Sequence, residues 1–322
     1  MTGTQEGPEA GTVSDAVHGN WVDRYAPSWS RPYLRLSRAD RPIGTWLLFL
    51  PCLWGVLLAA IETDWLGGQG IWIILGCGAG AWLMRGAGCT WNDITDRDID
   101  AKVARTRSRP IPSGQVTARQ AAIWMCAQAL IAFGILLTFN MAAIGLGIAS
   151  LALVCIYPFA KRFTWWPQVF LGLAFNWGAL LAWTAHTGSL GLPAVFLYLA
   201  GIFWTIFYDT IYAHQDREDD ALIGVKSTAR LFAENTQTWL KGFHVASLIC
   251  LAVAVGLVFA QEPRSPAAVV AAMAGVLAMG IHMVWQMRKL DIENPEICMH
   301  LFRANRDTGL LFSAGLAAAL AF

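Results

Sequence analysis

The amino-acid sequence predicts an all-α, polytopic membrane protein with about nine transmembrane helices. Three observations carry this. Of the 322 residues, 56% are hydrophobic and only 14% charged, where a soluble domain carries about 25% charged residues. Apolar runs of roughly 20 residues, the length that crosses a bilayer, recur along the chain. Lys and Arg gather in alternate loops, the bias that orients helices in a membrane.

In order, the apolar runs are Ile43–Ile61, Gly70–Thr90, Ala121–Phe139, Met141–Phe159, Trp166–Ala185, Pro193–Tyr212, Phe243–Ala260, Ala267–Met287 and Leu310–Phe322, the last begun near Leu301. Arg24, Arg31, Arg35, Arg38 and Arg41 precede the first, and basic residues follow the second, fourth, sixth and eighth. The intervening loops contain only Arg264. The amino terminus is therefore expected in the cytoplasm, with every even-numbered helix ending at the cytoplasmic face.

Residues 1–30 are polar and lack the basic and apolar regions of a signal peptide. They read as a flexible cytoplasmic tail, with residues 31–322 as one membrane domain. The seven Cys are scattered without a CxxC pair, the usage of small buried hydrophobes and not of a disulfide frame or zinc site. The formal net charge is +1, and no nucleic-acid partner is expected.

The chemistry concentrates where the second run ends, at Asn92-Asp93-Ile94-Thr95-Asp96-Arg97-Asp98-Ile99-Asp100. Carboxylates at a membrane edge are costly and mark function by default. Asn92, Asp96 and Asp100 recur at i, i+4 and i+8, one helical face. Such a column repels itself unless a hard cation such as Mg²⁺ joins it, and Mg²⁺ commonly shares its ligands with substrate phosphates. The plain alternative is a solvated acidic helix end. A second acidic end closes the sixth run, with Asp209 and Asp216 about two turns apart and Asp219 and Asp220 beyond. Both ends fall on the same face of the membrane, so together they are expected to hold two Mg²⁺ ions and a diphosphate. Lys102, Arg105 and Arg109 follow the first cluster and Lys226 the second; they suit phosphate contact, although the positive-inside bias alone also puts bases there. Phe203, Trp204, Phe207, Tyr208 and the Trp165-Trp166-Pro167-Gln168 segment offer aromatic walls, which suit a carbocation as well as a membrane belt.

With both acidic segments in hand, the chain resembles the UbiA superfamily of intramembrane prenyltransferases. The family's NDxxDxxxD motif stands as Asn92-Asp93, Asp96 and Asp100, and runs on to Lys102, Arg105, Arg109 and Pro110. Its second motif stands as Asp209, Asp216 and Asp219-Asp220, followed by Lys226, and a YxxxK element as Tyr157 to Lys161. Arg38-Ala39-Asp40-Arg41-Pro42, Trp166-Pro167-Gln168, Phe175-Asn176-Trp177 and Tyr208-Asp209-Thr210 are similar to the branch that prenylates 4-hydroxybenzoate for ubiquinone biosynthesis. Arg41 stands before Pro42 where Lys is common. The match runs from about Arg35 to the end.

The resemblance implies a ring of about nine helices around a central cavity. It implies transfer of a polyprenyl group from polyprenyl diphosphate to the 3-position of 4-hydroxybenzoate, in the lipid bilayer and with Mg²⁺. It implies that Asn92, Asp96, Asp100, Asp209 and Asp216 hold metal and diphosphate, the four aspartates being the catalytic candidates. Lys102, Arg105, Arg109, Lys161 and Lys226 would bind the diphosphate. Arg38 with Asn92 would meet the acceptor's carboxylate. Asp93, Tyr157, Tyr212, Asp219 and Asp220 are secondary candidates. The setting expected is a bacterial inner membrane, with the motifs on the cytoplasmic side. Other readings are a superfamily member with a naphthoate, homogentisate or tetrapyrrole acceptor, and a transporter or Mg²⁺- or anion-binding membrane protein.

Overall fold

In hydrocarbon no water satisfies the peptide groups, so long apolar runs are stable only as helices that bond internally. The computed structural model describes residues 19–101, 106–217, 221, 224–261 and 264–322, and these are helical with short connections. Two short helices, α1 (Trp21–Tyr25) and α2 (Arg31–Leu36), precede α3 (Ile43–Thr63), α4 (Gly67–Asp100), α5 (Ala118–Leu136), α6 (Met141–Phe163), α7 (Pro167–Thr187) and α8 (Leu192–Ala213). The short α9 (Thr228–Phe232) then leads to α10 (Thr236–Gln261), α11 (Pro266–Lys289) and α12 (Pro295–Ala319). Among the described residues, 8 helices are long and apolar enough to cross a membrane; α12 is as long but opens on Glu296, Arg303, Arg306 and Asp307. The chain is an all-α integral membrane protein. Leu130, Ile131 and Met141 are exposed on α5 and α6, apolar surface of the kind that suits contact with lipid.

Three helices depart from the apolar runs. α4 does not stop near Thr90 but continues through Asp100, because the acidic stretch contains no Gly or Pro and carries Arg97 in the last turn, where a cation complements the helix dipole. α10 and α12 likewise begin before their apolar runs, on polar turns. Of the expected tail, the described part is folded. Asn20 caps α1 by accepting from the Val22 and Asp23 amides, the Trp21 indole donates to the Ala39 carbonyl at 2.9 Å, and Val22 is buried beside Ala26 and Ala39.

The chain divides into two units, one of Met1–Thr45 with Gly80–Ile135 and one of Trp46–Ala79 with Leu136–Phe322. In the first, Leu36, Val116 and Ala121 form a small core with Tyr33, Ile94 and Ile111. Ser37 receives the Trp124 indole at 2.8 Å and donates to Gln128 at 3.0 Å, which fixes the chain after α2 against α5. Arg85, the one charge within the apolar part of α4, lies over Gly44.

In the second unit, α6 packs on α7, α7 on α8, α8 on α10 and α12, and α11 on α12. Asn140 ties two helix ends at once. Its Oδ1 caps α6 through the Ala143 amide at 2.9 Å, and its Nδ2 donates to the last-turn carbonyls of Thr184 and Ala185 at 2.8 and 3.0 Å, satisfying groups a helix end leaves open. Trp54 and Trp204 lie inside with ring centroids 5.0 Å apart. Their indoles donate to the Gly309 carbonyl at 3.0 Å and to Asn305 at 2.9 Å on α12. Asn305 in turn donates to Gln286 at 2.9 Å and Gln286 to Thr308 at 2.8 Å, so α8, α11 and α12 share a satisfied polar network inside apolar packing.

α11 and α12 cross at Gly275 and Gly315, where a Cβ on Gly275 would stand 2.9 Å from the Gly315 Cα. Small residues permit this close approach. Gly145 on α6 has nothing within 4 Å of its Cβ direction. Gly315→Ala is therefore expected to destabilise the protein by about 1–3 kcal/mol through overpacking. Gly145→Ala is expected to be neutral or stabilising, by up to about 1 kcal/mol from helix propensity. Thermal unfolding of the two purified variants in detergent checks the difference in sign.

Candidate active site

The end of α4 presents two faces. Asn92, Asp96 and Asp100 stack as the i, i+4, i+8 pattern requires, because the helix is unbroken to Asp100. Asp93, Asp96 and Asp100 occupy the i, i+3, i+7 register and all three are buried, at 0%, 1% and 6% exposure, while Arg97 and Asp98 face outward. Asn92 is half-buried.

Buried carboxylates must be matched by positive charge, and two arginines supply it. Arg38, from the turn between α2 and α3, donates Nη2 to Asp93 Oδ1 at 2.6 Å. Arg109, from the segment after α4, donates Nη1 to Asp100 Oδ2 at 2.8 Å and reaches the same Asp93 oxygen at 3.4 Å. The result is a chain Arg38–Asp93–Arg109–Asp100 with two charges of each sign. Deleting one member of such a buried pair strands its partner and typically costs about 3–5 kcal/mol. Arg38 sits at φ 56, the left-handed region that a non-glycine residue rarely adopts.

The family resemblance makes Asp93 only a secondary candidate. The structure makes it the residue on which both arginines converge. The signal in the sequence was the i, i+3, i+7 register, which the i, i+4, i+8 column overshadowed.

In the second unit, Asp209 lies half-buried on α8. Asp216 is not on the same uninterrupted α-helix, as the spacing implied. α8 ends at Ala213, and His214–Asp216 form a 3₁₀ turn, the tighter winding that commonly closes a helix end. His214 is buried in that turn and hydrogen-bonds the Thr236 hydroxyl at 3.1 Å, which leaves it a structural residue. Lys161 and Lys226 come together here: the Lys226 amide donates to the Lys161 carbonyl at 3.2 Å. The Lys226 ammonium donates to the Phe163 carbonyl at 3.4 Å and lies 5.9 Å from the Trp165 ring centroid. Tyr157 is half-buried on α6.

Tyr212 lies against Phe302 at 4.5 Å between centroids, and Tyr208 packs between Trp204 and Phe302. Trp204, Phe207 and Tyr208 are fully buried and form part of the packing of this unit. Trp166 joins a second aromatic cluster with Phe232, Trp239 and Phe243. Lys102, Arg105, Asp219 and Asp220 lie outside the described residues.

Among the described residues, no three His, Cys, Asp or Glu side chains already converge as a metal cage. Mg²⁺ needs no such cage: it keeps several waters and takes one or two carboxylates with substrate phosphates. Within the first unit Asp96 and Asp100 carry hard carboxylate oxygens, and within the second Asp209 and Asp216 do, a donor chemistry that fits that ion.

The chain is 49% identical over 320 residues to "4-hydroxybenzoate polyprenyltransferase, mitochondrial" of Rattus norvegicus, covering 98% of this chain and 80% of the relative. It is 49% identical over 296 residues to the Homo sapiens protein of that name, covering 90% and 76%. Both names are mitochondrial, so they lend no support to a bacterial inner membrane. Among solved structures, a UbiA homolog from Aeropyrum pernix K1 matches with a TM-score of 0.68 at 21% identity, covering 84% of this chain and 96% of that one. A UbiA homolog from Archaeoglobus fulgidus bound to GPP and Mg²⁺ matches with a TM-score of 0.63 at 18% identity, covering 90% and 100%. These two show the fold. The model of the UbiA prenyltransferase family matches residues 48–305, and the chain belongs to that family.

Proposed function

We propose that this protein transfers a polyprenyl group from polyprenyl diphosphate to the 3-position of 4-hydroxybenzoate, releasing diphosphate, as a step of ubiquinone biosynthesis. The observation that carries the reading is the 49% identity to a protein named for this reaction, across 98% of the chain. The donor's long tail belongs in the bilayer, while its charged head and the soluble acid meet the face rich in Lys and Arg.

The roles follow from residue chemistry. Asp96, Asp100, Asp209 and Asp216, with Asn92, would hold Mg²⁺ through their oxygens. When bound, Mg²⁺ supplies charge neutralisation that makes diphosphate a better leaving group. Arg109, Lys161 and Lys226 add positive charge to the departing oxygens, and Lys102 and Arg105 are assigned the same part. The allylic C1–O bond breaks and its electron pair leaves with the diphosphate. The ring carbon ortho to the phenol oxygen attacks C1, and loss of that carbon's proton restores aromaticity. Asp209, the released diphosphate and water are the available proton acceptors. Arg38 and Asn92 hold the acid's carboxylate, which fixes the ring carbon that faces the donor.

The direct test is product formation by membranes containing the chain, with a polyprenyl diphosphate, 4-hydroxybenzoate and Mg²⁺, against an EDTA control. Mg²⁺-dependent 3-prenylated product supports the reading. Product only from a naphthoate or homogentisate would move the acceptor, and no transfer to any phenol would discard the reaction. Asp96→Asn and Asp209→Asn are each expected to lower kcat by at least about 100-fold, the scale of a lost transition-state charge stabiliser, while the proteins still insert and fold. Near-normal rates in the folded variants would remove those residues from the metal site. Arg38→Ala is expected to raise the KM for 4-hydroxybenzoate more than the KM for the donor; the opposite split would place Arg38 on the diphosphate.

A further inference from the structure

We infer that Asp93 is a positioning residue for this reaction: it aims Arg38 at the acceptor's carboxylate and ties that arginine to Arg109. The inference rests on the acceptor role proposed for Arg38.

Asp93 has 0% exposure, so its carboxylate is closed to solvent and faces its protein neighbours. Both neighbours use one oxygen. Oδ1 accepts from Arg38 at 2.6 Å and from Arg109 at 3.4 Å, while Oδ2 is buried with no hydrogen-bond partner among the described residues. A carboxylate that leaves one oxygen unsatisfied forgoes stability. Sharing the other oxygen holds two guanidinium groups in a fixed relation.

Arg38 is constrained from two further sides. Its backbone is left-handed at φ 56, and its Nη1 donates to the Arg35 carbonyl at 3.1 Å. Strained backbone of this kind persists only where surrounding contacts over-determine it, and the ion pair with Asp93 is one of them. Arg109 has a second and nearer carboxylate partner, Asp100 at 2.8 Å. Loss of the Asp93 charge should therefore fall on the acceptor side before the donor side.

The experiment is a double-mutant cycle on the full chain in detergent, reading the KM for 4-hydroxybenzoate and for the polyprenyl diphosphate. Asp93→Asn should raise the acceptor KM by about 10-fold or more, as misplacement of a binding group does, with a smaller rise in donor KM. In an Arg38→Gln background the same substitution should add no further rise, because its effect runs through Arg38. A merely structural role would instead lower the amount of folded enzyme in both backgrounds without this non-additivity. Effects that multiply independently, or an unchanged acceptor KM in folded Asp93→Asn, overturn the inference.

Asp93→Asn strands a buried positive charge. If it fails to fold, Asp93→Glu carries the same test. It keeps the charge and shifts the oxygens by one methylene, so it must raise the acceptor KM with Arg38 present and not with Gln in its place. If the unmodified chain transfers nothing to 4-hydroxybenzoate, the reaction reading falls and this inference with it. If it does transfer and the cycle is additive, only the role of Asp93 falls.

Discussion

A carboxylate with no access to water must be matched by positive charge, and the end of α4 is built around that requirement. Asp93 is completely buried and is balanced by arginines from two different loops. Those arginines come from segments 55 and 16 residues away in sequence, so satisfying one side chain fixes the turn before α3 and the segment after α4. Arg38 and Arg109 are thereby placed before any ligand arrives. The arrangement trades stability for placement: a buried ion pair is weak support for a fold, but it specifies geometry that apolar packing would leave open.

The other unit is held by different means. Helices in lipid gain little from apolar contact, since the surrounding chains are as apolar as leucine. Close backbone approach and satisfied polar groups take over. α11 and α12 meet glycine to glycine, and Trp54, Trp204, Asn305, Gln286 and Thr308 form hydrogen bonds that leave α8 packed against α12. That packing keeps the end of α8, with Asp209 and the tight turn bearing Asp216, on a rigid support. The Lys161–Lys226 backbone bond does the same for two candidate phosphate-binding side chains that lie far apart in sequence.

Membership of the UbiA prenyltransferase family gives these features a common chemical sense. A prenyl diphosphate presents an apolar chain and a concentrated negative charge, and an enzyme acting on it needs lipid access at one end and cations at the other. Carboxylates alone would repel such a head group, and bases alone would bind it without drawing off its charge. Acidic helix ends interleaved with arginine and lysine suit metal-assisted departure of diphosphate.

Much of this was legible in the sequence. Bilayer thickness fixes the length of a span, so the apolar runs located the long helices. Helical periodicity put Asn92, Asp96 and Asp100 on one face, and a charge cluster at a membrane edge stood out because it is costly there. What periodicity does not report is which loop returns to which helix. It could not rank Asp93 above its neighbours, because that rank comes from Arg38 and Arg109 meeting on it. Nor could it show the α8 end tightening at His214, or α4 continuing through its acidic stretch, since both depend on how the last turn is capped and packed. Local composition determined the spans and the chemical types available at their ends. Only the tertiary structure decided which charges are paired, because pairing is a property of distance in space and not of distance along the chain.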